Sequence, residues 1–299
     1  MRPTPTLPMR EGLSPSYLWL QPGPWRDMLS FLAERFTAVP ESIWRERLLR
    51  GEVRNQHGEA LRPESPYRSG DCIFYYRELP EGEARIPVEE KILHLDDHLL
   101  VADKPHFLPV IPTGRFVQET LLVRLKKATG LQDLVPIHRL DRETAGVIVF
   151  SHQPASRGKY QSMFQQRSMF KVYEAIAPLR PDLALPRVHR SRVEEIPEQF
   201  FKMYEAEGAP NSETHISLLE QRGELGLYQL EPVTGRRHQL RVHMASLGIP
   251  ILNDLFYPHA VPVGVADDLD KPLKLLARSL FFIDPLDGSE RHFVSQRSL

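Results

Sequence analysis

The chain has 299 residues, of which 41% are hydrophobic and 26% charged, and its 38 Lys+Arg against 39 Asp+Glu leave a formal net charge of −1. These are the proportions of a soluble globular protein with room for one large domain or two, and the neutral total argues against a strongly basic nucleic-acid binder while permitting a local basic groove. The single cysteine, Cys72, excludes an intramolecular disulfide and a cysteine metal cluster, and no apolar run approaches the ~18 residues that span a bilayer, so a cytoplasmic protein with no membrane association is expected.

Residues 1–24 begin with a proline-rich stretch, MRPTPTLPMREGLSPS, and read as a mobile or surface-draped arm. From Trp25 the pattern changes. Met28, Leu29, Leu32 and Phe36 make one helical stripe. Pro40-Glu41-Ser42 opens a second helix through Trp44, Leu48 and Leu49, ended by Gly51. A short strand, a turn at Gly58 and a further strand from Gly70 to Tyr76 complete a module spanning 25–80, small for an autonomous core. Leu79–Pro87 reads as a linker, and a second domain covers 88–299.

Within that domain, Ile92–Pro105 reads as strand, Asp-rich turn, strand, and 116–128 has helical spacing. PIHRLDRETAGVIVF, from Pro136 to Phe150, sets Asp141 between Arg139 and Arg142, with His138 before it and Thr144 after it. Val147–Phe150 is a run of β-formers suited to a strand buried on both faces, so the acid stands on an irregular segment held by a rigid one. Arginines on either side favour the ionised carboxylate, which can serve as nucleophile or base; the same pattern also suits a structural ion pair. A surface helix over Pro154–Ser168 and an alternating strand over Phe170–Ala177 follow. His215–Glu220 and Leu225–Leu230 can pair as a hairpin around Arg222-Gly223.

A second polar cluster, VTGRRHQLRVHM, follows that hairpin. Thr234 suits an N-cap and Gly248 the C′ position of a helix over Arg236–Leu247, in which Arg237 and Arg241 stack at i,i+4. Like charges at that spacing repel by a few tenths of a kcal/mol, which makes sense beside an anion such as Asp141 or a phosphate. His238 and His243 lie five apart and point to different sides of a helix, so no metal is expected. There is no P-loop, no Gly-x-Gly-x-x-Gly after a strand and no Gly-x-Ser-x-Gly, so a nucleotide cofactor and a serine hydrolase are not implied. Strands and helices alternate without βαβ phrasing, which predicts an α+β fold with a large mixed, mostly antiparallel sheet flanked by helices.

LDDHLLVADKPHFLPV, HRLDRETAGVIVF, KVYEAI, VTGRRHQLRVHMASLGIPILNDLFY and LKLLARSLFFIDP, in that order, resemble the RluA-type pseudouridine synthases over roughly 93–285. The resemblance implies the pseudouridine synthase fold and isomerisation of uridine in ribosomal or transfer RNA, with no cofactor. It implies Asp141 as the catalytic aspartate, Tyr173 as the tyrosine that stacks on the target base, and Arg241 as the arginine paired with the carboxylate. Arg139 matches a residue that opens the RNA around the target, and Leu275 an apolar residue packed against the site. His138, Arg142, Thr144, Arg236, Arg237, His238 and Gln239, within the matching motifs, become candidate RNA contacts. Ala145, Leu276 and Arg237 depart from the family's usual residues and bear on substrate choice and packing.

The first module resembles the small RNA-binding domain of the S-four fold, at Arg26-Asp27 with Phe31-Leu32, the Leu48–Val53 step and Gly70-Asp71. That likeness puts Arg45, Arg47, Arg50 and Arg54 on a binding face. Two rival readings are a non-catalytic RNA-binding or ribosome-assembly factor and an RNase using His138 or His243. Nothing in the sequence demands more than a monomer.

Overall fold

The computed structural model describes residues 3–77, 82–196, 199–260 and 267–299, so the linker reading over 79–87 falls partly outside the described residues. Its contacts divide the chain into two units, 1–85 with 111–132, and 86–110 with 133–299.

The first unit carries a three-stranded antiparallel sheet in the order β1-β3-β2, made of β1 (Ser16–Trp19), β2 (Arg54–Asn55) and β3 (Cys72–Tyr75). Helix α1 (Met28–Arg35) starts where the Asp27 carboxylate accepts the Ser30 amide at 2.8 Å, and α2 (Glu41–Leu49) follows Pro40. Their apolar faces bury Met28, Leu32, Trp44 and Leu48 against Ile73 and Tyr75.

Two expectations for this unit change. The N-terminal stretch is not a draped arm, because β1 pairs with β3 and Leu7 and Leu13 are buried with Cys72, Phe74 and Tyr76. Helix α3 (Leu121–Thr129), assigned from sequence to the second domain, joins the same cluster through Val123, with Val117 just before it.

The second unit is built on an eleven-stranded sheet with the central order β10-β9-β11-β12-β8-β13-β7-β5-β4. Its strands are β4 (Lys91–Leu95), β5 (Leu99–Lys104), β6 (Val135–Pro136), β7 (Ala145–Ser151), β8 (Phe170–Pro178), β9 (Arg187–Ile196), β10 (Gln199–Ala206), β11 (Ser212–Arg222), β12 (Leu225–Pro232), β13 (Leu275–Ile283) and β14 (Glu290–Val294). Helix α4 (Pro154–Gln165) buries Tyr160 and Met163 against β5, β7 and β13, and α5 (Gln239–Ser246) buries Leu240 and Met244 against β8 and β12. This is the α+β architecture the pattern predicts, and β11 and β12 form the expected hairpin.

All seven residues of β7 are buried. It pairs antiparallel with β5 and parallel with β13, which makes the sheet mixed. Gly146, at φ 112°, permits this crossing, since a Cβ there would lie 2.2 Å from the Ala277 carbonyl oxygen. The loop that enters β7 is therefore anchored at its C-terminal end.

Candidate active site

Asp141 sits in that loop, on the entry to β7, and the loop is held from beneath by Lys104 at the end of β5. The Lys104 ammonium is fully buried and donates to the carbonyls of Pro105 at 2.9 Å, Leu108 at 2.8 Å and Arg142 at 2.9 Å. Burial lowers its pKa to about 7, with Glu143 and Asp141 opposing the fall. One buried cation thus ties two loops together, near enough to Asp141 to influence its charge.

The facing wall comes from the turn into α5. The Gln239 side chain shapes that turn: its Nε2 donates to the Glu213 carbonyl and to Thr214 Oγ1, both at 2.9 Å. Its Oε1 accepts the Thr234 hydroxyl at 2.7 Å and the Arg236 amide at 3.0 Å. His238 then adopts φ 53° and α5 begins at Gln239, so Thr234 is not the helix N-cap and Arg236 and Arg237 lie outside the helix. Arg237 does not stack on Arg241; it pairs with Glu195 at 3.5 Å. The like-charge penalty inferred from sequence does not arise.

Arg241 is 1% exposed and holds the centre of the site. Its Nε and one Nη donate to the two oxygens of Asp254 at 2.7 and 2.6 Å, a bidentate pair. The other Nη lies 3.5 Å from Asp141 Oδ2 and 3.7 Å from Glu143 Oε2. The guanidinium also covers the Phe256 ring at 4.9 Å. Asp254 Oδ1 accepts the amides of Phe256 and Tyr257 at 2.8 and 3.2 Å, so the acid that fixes the arginine is itself fixed by backbone.

His238 completes the surround, stacked on Phe256 at 5.7 Å with its Nε2 3.8 Å from Asp141 Oδ2. Tyr257 Oη accepts the Met203 amide at 2.8 Å, which leaves its own proton for His238 Nδ1 at 3.0 Å. Nε2 then carries the imidazole proton and turns it toward Asp141. Burial lowers the His238 pKa against the pull of Asp141, which keeps the ring neutral.

Burial works against ionisation of Asp141, yet His238, Arg241 and Lys104 together hold its carboxyl below the ordinary value of 3.8. Tyr173, on β8, packs against the cluster that contains Leu275, Leu240 and Met244. Its pKa is raised by burial first and by the Asp141 charge second, so it keeps its proton at neutral pH. The site combines an anionic oxygen, a protonated phenol and a fixed guanidinium, a set suited to reaction at a carbon centre with proton movement beside it.

The sequence reading set Arg139 and Arg142 on either side of Asp141 and named Arg241 as its partner. Of the three, Arg241 approaches the carboxylate. Arg142 forms a bidentate pair with Asp267 at 2.7 Å and a bond to Glu143 at 3.0 Å, while Arg139 is exposed. Gln239, Thr144 and His238, candidate RNA contacts by motif, are 3%, 3% and 8% exposed and serve the inside of the site. His138 stacks on Phe164 at 4.5 Å and accepts the Val149 amide at 3.2 Å; burial lowers its pKa to about 3, which does not suit an acid–base pair near neutrality. Arg236 is exposed, with Nε donating to the Asn211 carbonyl.

In the first unit, Arg45 pairs with Glu41 and Arg50 with Glu46 on the surface and with the largely buried Glu52, whereas Arg47 is buried, donates to the Tyr76 carbonyl and leaves the binding face. Sequence reasoning missed Lys104, Glu143, Asp254 and Tyr257. A signal existed for two of them: Lys104 ends an apolar strand, and Asp254 is a lone acid in the apolar run ILNDLFY.

His189, Glu205 and His243 bring one donor atom each within 4.8 Å of one another. Their hydrogen bonds close the group without a cation. His189 meets Glu205 at 2.7 Å, and His243 reaches Thr214 through Nδ1 and Ser212 through Nε2, both at 2.9 Å.

A profile of the family described as RNA pseudouridylate synthase matches residues 98–246, which include Asp141, Tyr173, His238 and Arg241. An uncharacterized RNA pseudouridine synthase of Synechocystis is 32% identical over 79% of this chain and 81% of its own length. The ribosomal large subunit pseudouridine synthase D of Vibrio vulnificus is 29% identical over 88% of this chain and 84% of its own length. Among solved structures, human RNA pseudouridylate synthase domain containing 4 superposes with a TM-score of 0.53 at 29% identity, covering 69% of this chain and 87% of that one.

Proposed function

The chain belongs to the RNA pseudouridylate synthase family, and from that premise we propose that it converts specific uridines of structured ribosomal or transfer RNA to pseudouridine, with Asp141 as the acting carboxylate. The observation that carries the residue assignment is the 3.5 Å approach of the buried Arg241 guanidinium to Asp141 Oδ2. The reaction exchanges a carbon–nitrogen glycosidic bond for a carbon–carbon bond with no net oxidation and no loss of atoms, so it calls for no cofactor.

The uridine leaves its stack at a cost of a few kcal/mol before chemistry begins. Attack of Asp141 on the anomeric carbon and removal of the ribose 2′ proton both use the same ionised oxygen. Arg241 keeps that oxygen charged and aimed, and Asp254 prevents the arginine from swinging out to solvent. Tyr173 stacks on the detached uracil, and its retained proton is available to the ribose. Arg139, exposed beside Asp141, supports the opening of the RNA, and the S-four-like helix pair of the first unit, with exposed Arg45 and Arg50, supports a second RNA contact. The protein acts as a monomer in the cytoplasm.

Pseudouridine mapping of total RNA from cells with and without the gene tests this reading. The expected outcome is loss of one or a few sites, restored by the wild-type gene. An identical map in both strains overturns it.

A further inference from the structure

Lys171 is a half-buried cation. It stands on β8 two residues before Tyr173, on the same face of the strand and so about 7 Å from it. Among the described residues its ammonium has no hydrogen bond or ion pair, and the influences on its charge are burial, which lowers its pKa, and the like charge of Arg167.

Lys171 lines a recess of about 350 Å³ with Phe164, Arg167, Met169, Gly235 and Arg236. Among the described residues three cations line this space and no carboxylate does. Arg167 leaves the end of α4 at φ 58° and likewise has no ion pair. Gly235 stands on the opposite wall, where a Cβ would lie 4.0 Å from Lys171 Nζ. Grouping like charges around a partly desolvated space costs stability unless an anion enters it. Lysine and arginine together suit phosphate oxygens, and Phe164 and Met169 offer an apolar seat beside them.

We propose that this recess binds the RNA backbone phosphate next to the nucleotide held at Asp141, with Lys171 and Arg167 supplying the charge and Phe164 and Met169 receiving the neighbouring sugar or base. The inference rests on the reading of the chain as an RNA isomerase. It adds the place where the strand beyond the target is gripped, one step along β8 from the tyrosine that faces the base.

The test is binding of a fluorescent five-nucleotide oligouridylate to the full chain, followed between about 50 and 300 mM salt. Lys171→Gln and Arg167→Gln are each expected to weaken binding about tenfold at low salt and to reduce the logarithmic salt slope by about 0.7, the value for one phosphate contact on a single strand. Lys171→Arg retains both, and Arg222→Gln, at an exposed pair with Glu220, changes neither. Lys171→Gln is also expected to raise the melting temperature of the free protein, because it removes an unpartnered charge. Affinity within twofold of wild type and an unchanged slope for Lys171→Gln overturn the proposal. So does a lowered melting temperature in that variant, which marks a structural lysine. The readout is binding, so it holds even if the chain forms no pseudouridine, and its failure alongside intact isomerase activity removes the recess alone.

Discussion

Arg241 gives its fork to Asp254, at 2.7 and 2.6 Å, and only its remaining nitrogen to Asp141, at 3.5 Å. The arginine is therefore anchored by one acid and acts on another. A residue that had to hold itself in place against Asp141 would move whenever substrate entered; this one need not.

Asp254→Asn is accordingly expected to damage both stability and rate. Breaking a buried pair by removing one partner costs about 3–5 kcal/mol. Arg241→Ala leaves Asp254, fully buried, without its cation, and carries a similar cost. Chemical denaturation and single-turnover rates measure the two effects. A variant of either kind with wild-type stability contradicts the anchoring role.

Asp141 has a folded pKa below 3.8, so its ionised form persists down to mildly acidic pH. The associated stability is fully present above pH 3.8 and is lost as pH falls through the lower folded value. The single-turnover rate is expected to show no acidic limb between pH 5 and 7 from this group. A midpoint within that range assigns the essential base elsewhere.

Lys104 has a folded pKa of about 7 against an ordinary 10.5. Between these values the unfolded chain holds the extra proton, so this residue adds stability as pH rises across the window. Lys104→Met removes that dependence and leaves three carbonyls without their donor, at about 1–3 kcal/mol each where they stay dry. Denaturation at pH 7 and 9 should show wild type gaining stability relative to the variant; a parallel response means that the folded chain keeps the Lys104 proton through pH 9, against the lowered pKa.

Tyr257→Phe deprives His238 Nδ1 of its donor and the Met203 amide of its acceptor. The fold should survive with a loss of about 1–3 kcal/mol, and the imidazole should become free to change tautomer. A fall in rate of roughly tenfold without a change in RNA affinity is expected. An unaffected rate separates His238 from the chemistry.

Gly146→Ala places a Cβ against the Ala277 carbonyl at φ 112°, which is expected to cost about 3 kcal/mol or more. The parallel pairing of β7 with β13 is lost with it, and thermal melting reports the result.

The fold class was legible because β7, β8 and the β11–β12 hairpin carry their burial pattern in consecutive residues. Asp141, Tyr173 and Arg241 were singled out through motif order, and the structure brings Arg241 to within 3.5 Å of Asp141. The pairing of Arg241 with Asp141, 100 positions apart, was implied by the resemblance, whereas that of Arg142 with Asp267, 125 apart, was not, because short-range spacing carries no information on pairs so distant in the chain. The α5 boundary failed for a local reason, since Gln239 satisfies the turn that Thr234 was expected to cap. The N-terminal prolines suggested an unattached arm because the leucines that bury it, Leu7 and Leu13, are isolated in sequence.

The central claim is that the oxygen of Asp141 performs the isomerisation. Asp141→Asn keeps the shape and the hydrogen-bonding capacity of the side chain and removes its charge. Incubated in excess with RNA from cells lacking the gene, the purified variant is expected to bind with wild-type affinity and form no pseudouridine within the time wild type needs for complete conversion. Conversion by the variant at a rate approaching wild type would contradict the account.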